Sequence, residues 1–172
     1  MATTPVTGIP YPVGTDRVMD GDNAMQAIAE RIEARYPRGT LVRLSKTDSF
    51  GPTGAASQDV TGLQVTGVQL YGNRWYRATF TGLIQDTVAG ARCLAQIKVD
   101  GSGAKDWNVD LPVGAYAGFN VSYVFSIAAG THSVGAAVGV TAGGAVTLHG
   151  GPANPAQLWL EDIGPTSLAA ER

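Results

Sequence analysis

Histidines, serines, one cysteine and scattered carboxylates are the residues that could do chemistry in this 172-residue chain, and their spacing decides whether they do. His132 begins a β-like run and His149 stands beside a Gly-Gly turn, and neither has an acid or thiol at metal-ligand spacing. Ser133 follows His132, but the segment Gly130-Thr-His-Ser-Val-Gly135 is not the Gly-x-Ser-x-Gly of a nucleophile elbow. The Gly101-Ser102-Gly103 segment lacks the third glycine and the following helix that would cradle a dinucleotide phosphate. Asp100, Asp106, Asp110, Glu161 and Asp162 could supply paired carboxylates for glycan hydrolysis, yet acids at turns serve more often as solvated or capping groups. Cys93 alternates with Ala95 and Ile97 and is expected as a core thiol. The chain is therefore expected not to be an enzyme and to carry no metal or cofactor.

Binding chemistry is the alternative, and tryptophan is its usual platform. Trp75 and Trp159 fall inside strand-like runs and are expected as core or interface anchors. Trp107, flanked by Lys105, Asp106 and Asn108 near a turn, is the candidate ligand-binding aromatic, exposed and rimmed by polar groups.

The elements that must position these groups follow from periodicity. Residues 1–19 place Pro5, Pro10 and Pro12 among glycines, which predicts an extended arm. Its Ile9, Tyr11, Val13 and Val18 need a surface to cover them and are the candidate docking residues. In residues 20–38, Asp20 and Asp22 offer cap oxygens and dipole-complementing charge, Met25, Ile28 and Ile32 recur at helical spacing, and Pro37 stops the run. This predicts one short amphipathic α-helix, packed on the β domain or, with those residues at a and d positions, on its copies.

From Gly39 to Gly164 the period is two. Runs at 40–46, 60–70, 75–84, 92–99, 106–111, 118–128, 131–140, 145–148 and 156–162 predict about eight or nine strands. Turns at 71–74 and at Asp100-Gly101 each read as hairpin connections. The predicted fold is mainly β, an antiparallel β-sandwich (jelly-roll-like), with residues 165–172 as a C-terminal tail. The stretch 135–144 is so small and apolar that a neighbouring backbone could approach it, making Val138 and Val140, with Met25, Ile28 and Ile32, the candidate oligomer interface.

Composition agrees. Glycine supplies 23 residues, and only 15% of residues are charged, with a net charge of -2, which excludes a general nucleic-acid binder that must displace counterions from phosphate. One cysteine excludes an intrachain disulfide. The first 11 residues have neither a basic start nor an apolar run, and no apolar stretch is long enough to span a bilayer, so synthesis in a cytoplasm without membrane insertion is expected.

Two segments carry a resemblance. Residues 8–33, GIPYPVGTDRVMDGDNAMQAIAERIE, resemble the N-terminal stretch of minor tail and tail-fibre proteins of actinobacterial phages. Residues 155–165, PAQLWLEDIGP, look like the last strand of the same proteins. The resemblance implies a virion protein, at the tail rather than the head, docked to other phage structural proteins through its arm. It also implies a homotrimer whose β domain projects outward and contributes to host-surface receptor binding. The turns at 101–107 and 150–154, with their polar groups and Trp107, are where a cell-surface glycan is expected to bind without being cleaved. A head-fibre or capsid-decoration protein is the alternative within that class, and a free carbohydrate-binding module is the alternative outside it.

Overall fold

The structure, a computed structural model, describes residues 2–3, 10–11, 25–30, 32, 39–88, 92–141 and 143–166. In the N-terminal region, β1 (Ala2–Thr3) pairs antiparallel with β2 (Pro10–Tyr11), and residues 25–30 and 32 are helical. Met25 and Ile32 are exposed and Ile28 is half-buried. Of the docking candidates only Tyr11 falls within a described element; Ile9, Val13 and Val18 lie outside the described residues.

The β domain begins with β3 (Gly39–Lys46), β4 (Phe50–Thr53), β5 (Gln58–Leu70) and β6 (Arg74–Val88). It continues through β7 (Arg92–Val99), β8 (Ser102–Asp110) and β9 (Tyr116–Phe125). The last strands are β10 (Gly130–Val140), β11 (Ala145–His149) and β12 (Ala156–Pro165). One sheet has the order β5-β10-β7-β8, and the other runs β3-β12-β6-β11-β4 with β9 on β6. Every pairing is antiparallel. β6 organises the larger sheet: residues 74–81 pair with β12, residues 83–88 with β11, and β9 runs along its other edge. The fold is the expected antiparallel sandwich, with inward side chains of both sheets forming one core.

Alternation sets the faces. On β6, Tyr76, Ala78, Phe80 and Ile84 are fully buried, while Trp75 and Arg77, which flank Tyr76, are exposed. β4 was not among the expected strands, since glycine and proline are poor strand formers; it is an edge strand, where proline costs no ladder bond. The Asp100-Gly101 hairpin is present, with φ of 49° and 76° at its two corner residues, the left-handed pair that matches strand twist. The hairpin expected at 71–74 is not: β5 joins the four-stranded sheet and β6 the six-stranded one. The corner at Asn73, with φ of 57°, carries the chain between sheets, and the Tyr76 hydroxyl pins it by donating to the Tyr71 carbonyl while accepting from the Tyr71 N–H.

Val138 and Val140 are corrected as interface candidates. Both are buried in the core from the central strand β10. The neighbouring backbone that the small residues admit belongs to the same chain: a Cβ at Gly139 would lie 2.5 Å from the carbonyl oxygens of Ala55 and Ala56, and the Val140 N–H donates to Ala55 O at 2.9 Å. Cys93 is fully buried on β7, and burial, then the charges of Asp86 and Asp110, push its thiol up to about 11.

Candidate functional site

The outward face of the six-stranded sheet is built by the alternation that fills the core. Leu158 and Leu160 point inward from β12, which turns Gln157, Trp159 and Glu161 outward. The register then lines up rows across the strands. Arg43 on β3 stands opposite Trp159, Trp159 opposite Thr79 on β6, and Thr79 opposite Ser122 on β9. One row along, Thr40, Glu161, Arg77 and Val124 are aligned, and on the other side Ser45, Gln157, Thr81 and Asn120. A single indole thus sits amid hydroxyls, amides and charges.

These side chains hold one another. The Arg43 guanidinium carbon lies 5.8 Å from the centroid of the Trp159 ring, within cation–π reach. Arg77 Nε donates to Glu161 Oε2 at 2.8 Å, and the hydroxyls of Thr79 and Ser122 share a hydrogen bond of 2.7 Å. Together they line a shallow depression of about 470 Å³. Asn120 also borders a second depression of about 700 Å³, where Thr81, Leu83 and Gln157 meet Asn154 and Pro155 of the loop before β12. Asn120 lines both, and the first, the open trough around Trp159, has the chemistry of a polyhydroxyl binder: an aromatic face for C–H groups and convergent donors and acceptors for hydroxyls.

Beneath the trough β12 is tied down from inside. Arg74 Nε donates to Asp162 Oδ2 at 2.6 Å, and Asp162 Oδ1 accepts the Gly164 N–H at 3.0 Å. Both ion-pair side chains are buried, 5% and 0% exposed.

Trp107, the aromatic expected to be an exposed platform, is half-buried on the edge strand β8 and packs against the core, its ring 5.5 Å from Phe119 of β9. It closes the sandwich edge between the sheets. Trp159, expected as an anchor, is instead in the trough, and Trp75 is 40% exposed. The missed signal was polar residues two positions either side of Trp159, Gln157 and Glu161, which put it on the polar face.

His132 and Ser133 do acquire an acid in the fold, Asp100, but in an arrangement unlike a hydrolase. The His132 Nδ1 is 2.8 Å from Asp100 Oδ2, its Nε2 is 3.0 Å from the Ala128 carbonyl, and the Ser133 N–H donates to Asp100 Oδ1 at 2.8 Å. A triad needs Nε2 on the serine hydroxyl. Here the backbone carbonyl takes Nε2, and the group fastens the β7–β8 turn to β10. Among the described residues no three His, Cys, Asp or Glu side chains gather as a metal site, and no helix is long and apolar enough to cross a membrane.

Comparison with known proteins finds loose structural likenesses. No protein-family model matches the chain, and no curated protein does. Among solved structures, it is similar to the C-terminal domain of EclA, a sugar-binding protein, at 15% identity over 60% of this chain and 74% of that one, with a TM-score of 0.40. It is similar to the carbohydrate-binding module CBM6cm-2 of Cellvibrio mixtus lichenase 5A, crystallised with cellotriose, at 15% identity over 76% and 92% of the two chains, TM-score 0.33. A third is infectious bursal disease virus, Gx strain, at 17% identity and TM-score 0.42, where 76% of this chain spans 37% of the viral one. At these identities the likeness is one of fold.

Proposed function

We propose that the chain is a non-enzymatic component of a phage particle, of its tail tip or a short tail fibre, whose β-sandwich binds saccharide on the outward face of the six-stranded sheet. The observation that carries the binding role is Trp159 in an open trough, with Arg43 on one side and the Thr79–Ser122 hydroxyl pair on the other. The resemblance of residues 8–33 and 155–165 to phage tail proteins supports the placement on a virion. In this reading the arm fastens the protein to the particle, and the helices of three copies meet through Met25, Ile28 and Ile32. One aromatic contact is worth about 0.5–1.5 kcal/mol, so useful adhesion comes from several copies acting together.

The test replaces Trp159 by Ala and measures binding of the purified protein to host cells beside its thermal unfolding. Affinity is expected to fall roughly 2- to 12-fold, the equivalent of that stacking energy, with the melting temperature little changed. Undiminished binding by the folded variant overturns the assignment of the trough. Antibody labelling of intact particles decides the station, and label on the capsid rather than the tail overturns the tail placement in favour of a head-fibre or decoration protein.

A further inference from the structure

We infer that the saccharide held in the trough is anionic and that Arg43 reads its charge. This rests on the saccharide-binding reading above and adds the ligand's chemical class to it.

The inference starts from where the arginines find partners. Among the described residues, Arg74 is matched with Asp162, Arg77 with Glu161 and Arg92 with Asp110. Arg43 is the exception: its guanidinium meets the ring of Trp159 and no carboxylate. A guanidinium carries five donors in a planar fork whose natural partner is a carboxylate or phosphate bound through two oxygens. Lying over an indole, that fork loses little freedom when it binds, because the ring already restrains it, and its donors remain open to the trough.

Charge nearby favours an anion. Arg77 and Glu161 neutralise each other at 2.8 Å, so Arg43, Arg77 and Glu161 together leave one positive charge beside the indole. On a chain of net charge -2 this is a local feature and not part of a basic surface. The geometry suits a sugar ring against Trp159 whose attached oxyanion reaches Arg43, while Thr79, Ser122 and Asn120 address neutral hydroxyls. A uronic-acid carboxylate and a sugar phosphate ester share this chemistry.

The experiment titrates the full chain, by calorimetry at low salt, with four probes: oligogalacturonate, the same oligomer after carboxyl reduction, phosphorylated mannan fragments, and the same fragments after dephosphorylation. At least one charged probe is expected to bind about tenfold more tightly than its neutral counterpart, which corresponds to about 1.4 kcal/mol. That preference should shrink as salt rises. Preference for the first pair alone identifies a uronate ligand, and for the second alone a sugar phosphate. Arg43→Gln should lose the preference for the charged member of a pair, whatever its effect on the affinity for the neutral one, while Arg43→Lys keeps part of the preference through charge without the fork. Equal affinity of the wild type for charged and neutral probes overturns the anionic ligand and leaves saccharide binding standing. A preference that survives in Arg43→Gln overturns the role of Arg43. Failure to bind any of the four overturns both readings.

Discussion

Removing the carboxylate of Asp162 should destabilise the sandwich more than any change on its surface. Asp162 lies on the inward side of the strand that displays Trp159 and Glu161, and it accepts from Arg74 Nε at 2.6 Å and from the Gly164 N–H at 3.0 Å. With the two side chains 0% and 5% exposed, Asp162→Ala takes a buried countercharge from the Arg74 guanidinium, and breaking such a pair costs about 3–5 kcal/mol. For a domain of this size about 1 kcal/mol moves the melting temperature by roughly 2–4 °C, so the expected fall is roughly 6–20 °C. The pair also joins β6 to the last strand, so the loss should appear as one cooperative transition shifted to lower temperature. Circular dichroism melts supply the measurement, with guanidinium unfolding as a second probe. Replacing both partners, Arg74→Met with Asp162→Leu, removes charge and countercharge together and should recover most of the loss. A shift under about 2 °C for Asp162→Ala, or a double variant no better than the single one, would refute the account of this pair.

Two further outcomes are expected. His132 presents both ring nitrogens to acceptors, the Asp100 carboxylate and the Ala128 carbonyl, so its charged form is favoured and its pKa is raised above the ordinary 6.5, chiefly by the hydrogen bond to Asp100. Its contribution to stability is therefore complete below about pH 6.5 and lost as pH rises through the raised value; wild-type melts from pH 6 to 9 should show this decline, and His132→Gln melts that decline equally would remove the residue from the explanation. Gly139→Ala puts a methyl group 2.5 Å from two carbonyl oxygens of the 54–57 loop and should cost about 1–3 kcal/mol in denaturant unfolding, a result that an unshifted midpoint would contradict.

Much of the sandwich was legible because one inward and one outward face leave a period of two, as along Cys93, Ala95 and Ile97 of β7. The Asp100-Gly101 corner was legible too, since its residue types tolerate the backbone it needs. Partnering was not. Asn73 announces a corner, but nothing local says whether the next strand folds back on the same sheet or crosses to the other. Residues 134–140 misled because both faces are covered, one by the core and the other by the chain's own 54–57 loop and Gln64, so a wholly apolar run resembled a contact between subunits. The candidate site was hidden for a related reason: Leu158, Trp159 and Leu160 form a short apolar run, which masks the alternation of Gln157, Trp159 and Glu161 on the outward face.

The pairing of β3 with β12 bears on how the protein is made. Gly39 emerges from the ribosome about 120 residues before its partner Asp162, a wait of roughly 6–25 s at ordinary elongation rates. Until β12 arrives, β3 has no neighbour in its sheet and the first half of β6 lacks the strand that covers one edge. The nascent chain therefore carries open strand edges through most of its synthesis, the condition under which chains associate wrongly or recruit chaperones. The segment 156–165 acts as a keystone: it arrives last and closes the larger sheet, and in the same event its outward side chains bring Trp159 between Arg43 and Thr79. A chain released before that segment is complete is expected to lack both the closed sheet and the binding face.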